Sequence, residues 1–238
     1  MFSIIIPTYN EADQIAETIS KTHAANGKPA CPTGRHEAEI IVVDGGSSDD
    51  TIAIAKQFGA TVVKSERKGR AAQMNKGASV AKHEILYFLH ADSIPPKEFT
   101  NRILDAYNEE TKSGCFRLAF DNNHWFLKAN AWFTRFNINA VRFGDQSLFV
   151  SKDIFEKAGG FREDLLMMED QEIIHRLKRH TQFKVLKDYV ITSARKYLEN
   201  GVYRMQWIFY CIWAMYYLGY SQEQMLKAHR KLIRKHKM

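Results

Sequence analysis

Two carboxylates far apart in the chain, Asp92 and Asp170, carry the chemistry that this sequence could perform. Asp92 closes the run EILYFLHAD (84–92), an apolar strand that ends on His90-Ala91-Asp92 ahead of a polar turn and two prolines. A carboxylate at a strand end offers the hard oxygen that Mg²⁺ or Mn²⁺ prefers, one or two such groups being completed by phosphate oxygens and water. His90 could ligate Mn²⁺ or hydrogen-bond a phosphate, although a lone strand-end histidine is more often a satisfied structural residue. Asp170 stands in MMEDQEIIHRLKRH with Glu169 and Glu172, acidic charge packed into the first turn of a helix. The helix dipole alone accounts for that placement. Adjacent carboxylates also raise one another's pKa, which suits a general base.

Two further stretches have chemical content. In VVDGGSSDDT, Asp44 ends a strand and is followed by Gly45 and Gly46, which let backbone approach a ligand closely. A carboxylate there could meet a uracil edge or a ribose hydroxyl. Ser47 and Asp49 could equally well cap a helix beginning near Thr51. The spacing is not G-x-G-x-x-G, so no dinucleotide fingerprint is present. ERKGRAAQMNKGA sets Arg67, Lys68 and Arg70 before a helix that contains Gln73 and Asn75. Cations at a helix N-terminus oppose its dipole, and a pyrophosphate would relieve the conflict. A solvated basic loop is the commoner fate of such a run.

The elements that must position these residues follow from hydrophobic pattern. FSIII (2–6), EIIVVD (39–44), ATVVKS (60–65) and EILYFLHAD read as strands, with helices over 11–22, 51–58 and 70–81 between them. Continuous β-branched runs alternating with helices predict a parallel sheet covered on both faces, and ligands in such sheets gather beyond the carboxyl ends of the strands. PTYNE, DGGSSDD and HAD all fall there. The second half predicts strands at GCFRLAF and QSLFVS and one or two in FKVLKDYVIT. It predicts helices at KDIFEKAGGF, closed by Gly159-Gly160, and at 169–179, and a helical stripe through Trp125, Phe126, Ala129, Trp132, Phe133 and Phe136. The stretch 24–39 reads as a long surface excursion.

Taken in order, IIIPTYNE, IIVVDGGSSDDT, KGRAAQMNKGA, LHADSIPP, FGDQSLFVSKDIFEKAGGF and MEDQEIIHRLKR resemble family 2 glycosyltransferases, most of all the small bacterial subgroup whose strand-end motif reads His-Ala-Asp. The resemblance runs over about residues 1–192. It implies an α/β fold of the GT-A nucleotide-diphospho-sugar transferase type, a mostly parallel central sheet with helices on both faces, followed by a helical appendage over 193–238. It implies an inverting, metal-assisted transfer from a nucleotide-diphosphate sugar to an acceptor hydroxyl. By this resemblance Pro7, Thr8, Asn10 and Glu11 line the nucleotide pocket, Asp44 receives the base, and Gly45, Gly46 and Asp49 shape the pocket. Arg67, Arg70 and Gln73 approach the donor, with His90 beside it. Asp92 holds Mg²⁺ or Mn²⁺, Gly144, Asp145 and Gln146 lie near the acceptor, and Asp170 is the base with Glu169 next to it. His90 replaces the first Asp of the usual Asp-x-Asp motif, and "KRHTQF" follows the acidic helix where many relatives carry Gly.

Composition sets the outer bounds. A chain of 238 residues, 45% hydrophobic and 26% charged, suits one large domain, or one domain with an appendage. MFSIIIPTYNEAD lacks the basic start and long apolar run of a signal peptide. Cys31, Cys115 and Cys211 fit no zinc spacing and read as structural thiols of a reduced, cytoplasmic chain. From Ser221 onward six Lys/Arg face one Glu, a local +5 that leaves +2 for the rest of a chain of net charge +7. Before that tail, MQWIFYCIWAMYYLGY (205–220) is uncharged and aromatic, shorter than the ~20 residues of a spanning helix. Two readings stand side by side. One is peripheral contact through 203–238 with the inner face of the cell membrane; the other is a helix packed on its own core with a solvated basic tail. The acceptor could then be lipid-linked, a homodimer is compatible with the pattern, and nucleic acid is not an expected partner. A sugar-nucleotide nucleotidyltransferase and a non-catalytic nucleotide-sugar-binding module are the competing functions.

Overall fold

A computed structural model describes residues 1–26, 38–139, 142 and 144–233. Cys31, most of the 24–39 excursion and the last five residues of the basic tail lie outside the described residues. β1 (Phe2–Thr8) is buried at every position, as a strand flanked on both edges and both faces must be. It pairs in parallel with β2 (Ala38–Asp44) and with β4 (Ile85–Phe88), and β2 pairs in parallel with β3 (Thr61–Lys64). Pro7 is tolerated in this central strand for a local reason. The Ile5 carbonyl faces β4, accepting from Leu89, and the Thr8 carbonyl faces β2, accepting from Gly45. Alternation turns Pro7 toward β4, whose ladder ends at Ile5–Phe88, so no rung needs the missing N–H.

The sheet continues with β7 (Leu148–Ser151), β6 (Ser113–Phe120), β8 (Phe183–Thr192) and β5 (Ser93–Ile94), in the order β3-β2-β1-β4-β7-β6-β8-β5. The mostly parallel sheet expected from the sequence is present, and its exceptions fall in the mixed second half, where β7 runs antiparallel to both β4 and β6, and β5 antiparallel to β8. The parallel half is intact, with β6 and β8 adding one more parallel pair. The strand expected to run through Asp92 stops at Phe88, and His90–Ser93 forms a turn closed by Ser93 N–H to the His90 carbonyl at 3.1 Å. That turn points His90 and Asp92 away from the ladder.

Helices cover both faces. α1 (Ala12–Ala25), α2 (Thr51–Gln57) and α4 (Phe99–Ala106) accompany one core layer, in which Phe2, Ile4 and Ile6 of β1 meet Ile15, Ile19, Tyr87 and Phe99. α3 (Arg70–Val80), α6 (Lys152–Lys157) and α7 (Glu169–Leu177) accompany the other, where Ile5 meets Met74, Phe155, Ile173 and Ile174. The alternation of Ile4, Ile5 and Ile6 between the two layers is the period of two expected of a strand. α6 ends at the expected glycine pair, Gly159 and Gly160, both at positive φ.

The remaining helices are α5 (Trp125–Phe133), α8 (Arg195–Asn200), α9 (Val202–Tyr217) and α10 (Gln222–Leu232). The aromatic stripe of α5 faces outward: Leu127 and Ala131 are buried, whereas Trp125, Trp132 and Phe133 are exposed. α9 divides differently, with Met205, Gln206, Ile208 and Ile212 inside and Tyr203, Trp207, Tyr210 and Tyr217 outside. One face thus packs on the protein's own core and the other stands free. Among the described residues no helix is long and apolar enough to cross a membrane.

Candidate active site

The carboxyl ends of β2, β1 and β4 lie side by side, so the three polar clusters meet as the parallel pattern requires. The first two are bound to each other. Asn10, in the left-handed region at φ 52°, accepts from Ser48 N–H at 2.8 Å and donates its own N–H to Ser47 Oγ at 2.9 Å. Asp49 accepts from Ala12 N–H at 3.2 Å and from Thr51 N–H at 3.1 Å, so it does help to open α2, while Ser47 is committed to Asn10. Asp44 is buried, and its carboxylate accepts from Gly46 N–H at 2.9 Å and Ser47 N–H at 3.0 Å. It shapes the glycine turn directly. Gln73 is buried rather than facing a donor, with Nε2 donating to the Thr8 carbonyl at 2.7 Å and the Val43 carbonyl at 2.8 Å. A Cβ at Gly45 would stand 2.9 Å from that Nε2, so the glycine makes room for Gln73.

The basic run finds its anions within the chain. Arg67 is mostly exposed and pairs with Glu163 at 2.9 Å, an arrangement worth at most about 1 kcal/mol. Arg70 is the consequential one. Its Nε lies 2.8 Å from Glu169 Oε1, an ion pair without hydrogen-bond alignment, and its Nη1 lies 3.9 Å from Asp170 Oδ2. Glu169 first, and Asp170 after it, hold the Arg70 guanidinium firmly charged. Burial pushes the Glu169 carboxyl up; Arg70 opposes this and Asp170 adds to it.

His90 joins this group to Asp145. Its Nδ1 is 2.6 Å from Asp145 Oδ1, and its Nε2 is 3.2 Å from Arg70 Nη1. The tautomer that donates Nδ1–H to Asp145 leaves Nε2 free to accept from Arg70, so both ring nitrogens are engaged. Burial depresses the His90 pKa, but the Asp145 hydrogen bond and charge outweigh it and leave the net shift upward. Asp145 is drawn well below the usual carboxylate range by His90, against its own burial. Asp92 is raised, first by burial and then by repulsion from Asp145.

Asp92 and Asp170 line one cavity of about 600 Å³, together with Arg70, Gly144, Asp145 and Glu169. Its far wall comes from α8, α9 and α10 and is largely apolar, with Tyr197, Met205, Phe209 and Trp213, but carries charged groups where α8 enters it. His90, Gly144 and Asp170 also border a much smaller hollow alongside. Pro7, Thr8, Asn10, Glu11, Asp44, Gly45, Gly46 and Asp49 stand at the β1 and β2 ends and do not line the large cavity. Gln146 is buried in the core, donating to the Phe116 carbonyl at 3.1 Å and the Thr134 carbonyl at 3.2 Å, and does not face an acceptor. Sequence reasoning missed Arg195 and Lys196, which enter the wall from α8. A basic pair following the last strand was their visible signal.

Gly144 has a role of its own. A Cβ built there would overlap the carboxylate of Asp170. Gly144→Ala is therefore expected to leave the melting temperature nearly unchanged while lowering any turnover that depends on Asp170 about 10²-fold, the cost of a small misplacement. Steady-state kinetics beside a thermal melt would check this, and an unimpaired enzyme would show that Asp170 needs no such precision.

Residues 3–166 match the Glycosyl transferase family 2 domain. Glycosyltransferase AglE of Haloferax volcanii is 27% identical over 195 residues, covering 75% of this chain and 60% of AglE. An undecaprenyl-phosphate 4-deoxy-4-formamido-L-arabinose transferase of Pseudomonas fluorescens is 30% identical over 112 residues, covering 44% of this chain and 32% of the relative. This chain thus spans less than two thirds of the length of these relatives. Among solved structures, mannosyltransferase PcManGT of Pyrobaculum calidifontis, in complex with GDP-Man and Mn²⁺, superposes with a TM-score of 0.70 at 18% identity, covering 97% of this chain and 69% of that one. S. aureus TarS 1–349 in complex with UDP gives 0.65 at 20% identity, covering 81% and 60%. The fold is shared with these glycosyltransferases, and on the match over residues 3–166 the chain belongs to glycosyl transferase family 2.

Proposed function

We propose that this chain is an inverting glycosyltransferase that moves a sugar from a nucleoside-diphosphate donor to the hydroxyl of an acceptor with an apolar, lipid-like portion. The observation that carries the reading is that Asp92 and Asp170, 78 residues apart in sequence, line one cavity. Asp170 would accept the acceptor proton as its oxygen attacks the anomeric carbon from the face opposite the nucleotide. Arg70 would hold Glu169 and Asp170 in register, being within 4.0 Å of both carboxylates. The relatives support the donor class, since PcManGT and TarS are described with GDP-Man and UDP. The acceptor class rests on the arabinose transferase, whose name specifies undecaprenyl phosphate, and on the apolar wall contributed by α8–α10.

The residues fit a divalent cation. Asp92 and Asp145 are half-buried carboxylates on one cavity whose charges repel each other, and a cation between them would remove that cost. Among the described residues no three His, Cys, Asp or Glu side chains form a complete cage. Asp92 and Asp145 would therefore hold Mg²⁺ or Mn²⁺ together with donor phosphate oxygens, the usual pattern for Mg²⁺. Bound there, the ion would neutralise the departing diphosphate. Release of a nucleoside diphosphate from a nucleotide sugar supports the assignment; release of pyrophosphate from a nucleoside triphosphate would replace it with a nucleotidyltransferase.

The outer faces of α5 and α9 suit a membrane surface. Tyr203 packs on Phe126 at 4.9 Å and on Trp125 at 6.5 Å, joining the two helices' exposed aromatics into one surface. Residues 124–136 and 202–220 contain Lys128, Arg135 and Arg204 and no Asp or Glu. Trp and Tyr favour the headgroup level, and uncompensated cations favour anionic lipid. In flotation with vesicles containing phosphatidylglycerol, the full chain is expected to bind, and Trp125→Ala with Trp207→Ala to lose about tenfold in partition. Equal flotation of the two proteins would remove this surface from the account.

A further inference from the structure

The turn from β8 into α8 is stitched to the strand end that carries Asp92. Ser193 N–H donates to the Asp92 carbonyl at 3.1 Å, and Ser93 Oγ to Thr192 Oγ1 at 3.0 Å. β5 and β8 pair at Ser93–Thr192 and Ile94–Ile191. Ala194 N–H is held by Asp121 Oδ1 at 2.7 Å. One residue on, Arg195 bonds Glu11 at 3.1 Å, which ties α8 to the loop after β1. Lys196 is the next residue and lines the cavity beside Asp92. Its backbone position is thus set from two sides, by the Asp92 turn and by the loop where the nucleotide is expected.

The charges of the cavity wall single out this lysine. Arg70 is paired with Glu169 and Arg195 with Glu11. Arg142 is buried and spent on Cys115 Sγ at 2.7 Å and Asn137 Oδ1 at 3.1 Å. Among the described residues Lys196 has no carboxylate at salt-bridge distance. Its charge nonetheless reaches Asp92 and Asp145, where it opposes the upward push of burial, which still prevails at Asp92. Lys196, Asp92 and Asp145 line one cavity of about 600 Å³, which has room for a phosphate group. Such a group would meet an ammonium on one side and, on the other, a divalent cation held by the carboxylates.

We propose that Lys196 binds the diphosphate of the nucleotide donor. The proposal rests on the donor reading given above. It assigns part of the donor site to a helix beyond residues 3–166, the stretch that matches the family domain. α8–α10 then complete the site as well as lengthening it. Lys196 is a binding residue in this account, neutralising charge that grows on the leaving diphosphate, and takes no part in proton transfer.

The phosphate of a lipid-phosphate acceptor has the same chemistry, so the test separates the two sources. The full chain would be titrated calorimetrically with UDP, GDP, ADP and CDP in the presence of Mn²⁺, and separately with geranyl phosphate. Lys196→Ala and Lys196→Gln should weaken whichever nucleoside diphosphate the wild type binds by about tenfold to a hundredfold, the worth of one charge-assisted hydrogen bond. Lys196→Arg should recover most of that affinity, and binding of the parent nucleoside should not change. Unaltered diphosphate affinity in Lys196→Ala and Lys196→Gln would overturn the proposal. So would a loss confined to geranyl phosphate, which would give the lysine to the acceptor. A wild-type chain that binds none of the four nucleotides would defeat the donor reading itself, a different result from binding that ignores Lys196.

Discussion

Asp170→Asn is expected to lower kcat by about 10²–10⁴-fold, the usual contribution of a positioned general base. The substitution keeps the shape of the side chain and its fit against Gly144, where a Cβ would collide with the carboxylate. It removes only the capacity to take a proton. The KM for the donor should stay near its wild-type value, because the role proposed for Asp170 is at the attacking oxygen and not at the nucleotide. Arg70 keeps its closer partner, Glu169 at 2.8 Å, so the fold should survive, as a thermal melt would verify. A variant that turns over like the wild type would show that the proton leaves by another route, and Glu169 would be the next group to replace.

Asp92→Ala is expected to cost about 10²–10³ in rate, the range for one preorganised group at a site of developing charge. It should also abolish the extra thermal stabilisation that Mn²⁺ adds to a bound nucleoside diphosphate, an effect that scales as RT ln(1 + [L]/Kd). The second readout matters because it does not depend on knowing the acceptor. The backbone should tolerate the change, since Asp92 contributes its carbonyl, not its carboxylate, to the bond with Ser193. Persistence of the Mn²⁺-dependent shift in this variant would move the metal elsewhere, with Asp145 the remaining cavity carboxylate on that side.

What the sequence disclosed, and what it did not, divides along physical lines. Runs such as FSIIIPT and EIIVVD can bury every residue only as inner strands, so the parallel half of the sheet and the meeting of its carboxyl ends were legible. The reversal of β7 was not, because a four-residue apolar strand reads the same in either direction. Asp92 and Asp170 could be picked out as chemistry-bearing residues from type and setting. Side-chain destinations were harder. Nothing in a helical pattern distinguishes Arg70, which reaches the cavity, from Gln73, which turns inward to bridge β1 and β2. The link from Asp145 through His90 to Arg70 joins residues distant in the chain by contacts that no periodicity encodes. α8 is only six residues long, too short to show a hydrophobic period, and Lys196 went unnoticed with it.

His90 illustrates the gain from geometry. As a residue type at a strand end it was a candidate metal or phosphate ligand. In the folded chain both ring nitrogens are occupied, one by Asp145 and one by Arg70, and the ring becomes a strut between Asp145 and the arginine that holds Glu169 and Asp170. The aromatic stripe of α5 shows the converse. Its spacing identified a helix, but Trp125 and Trp132 face outward and the small Ala131 faces in, which a count of apolar residues cannot reveal.

A crystal structure of the full chain grown with the best-stabilising nucleoside diphosphate and Mn²⁺ would bear most directly on the shared cavity. The account predicts an anomalous manganese peak on the Asp92 carboxylate, with the diphosphate against it and the Asp170 carboxylate open to the space where a sugar would continue. Manganese and diphosphate bound outside that cavity, leaving Asp92 and Asp170 facing solvent alone, would contradict it.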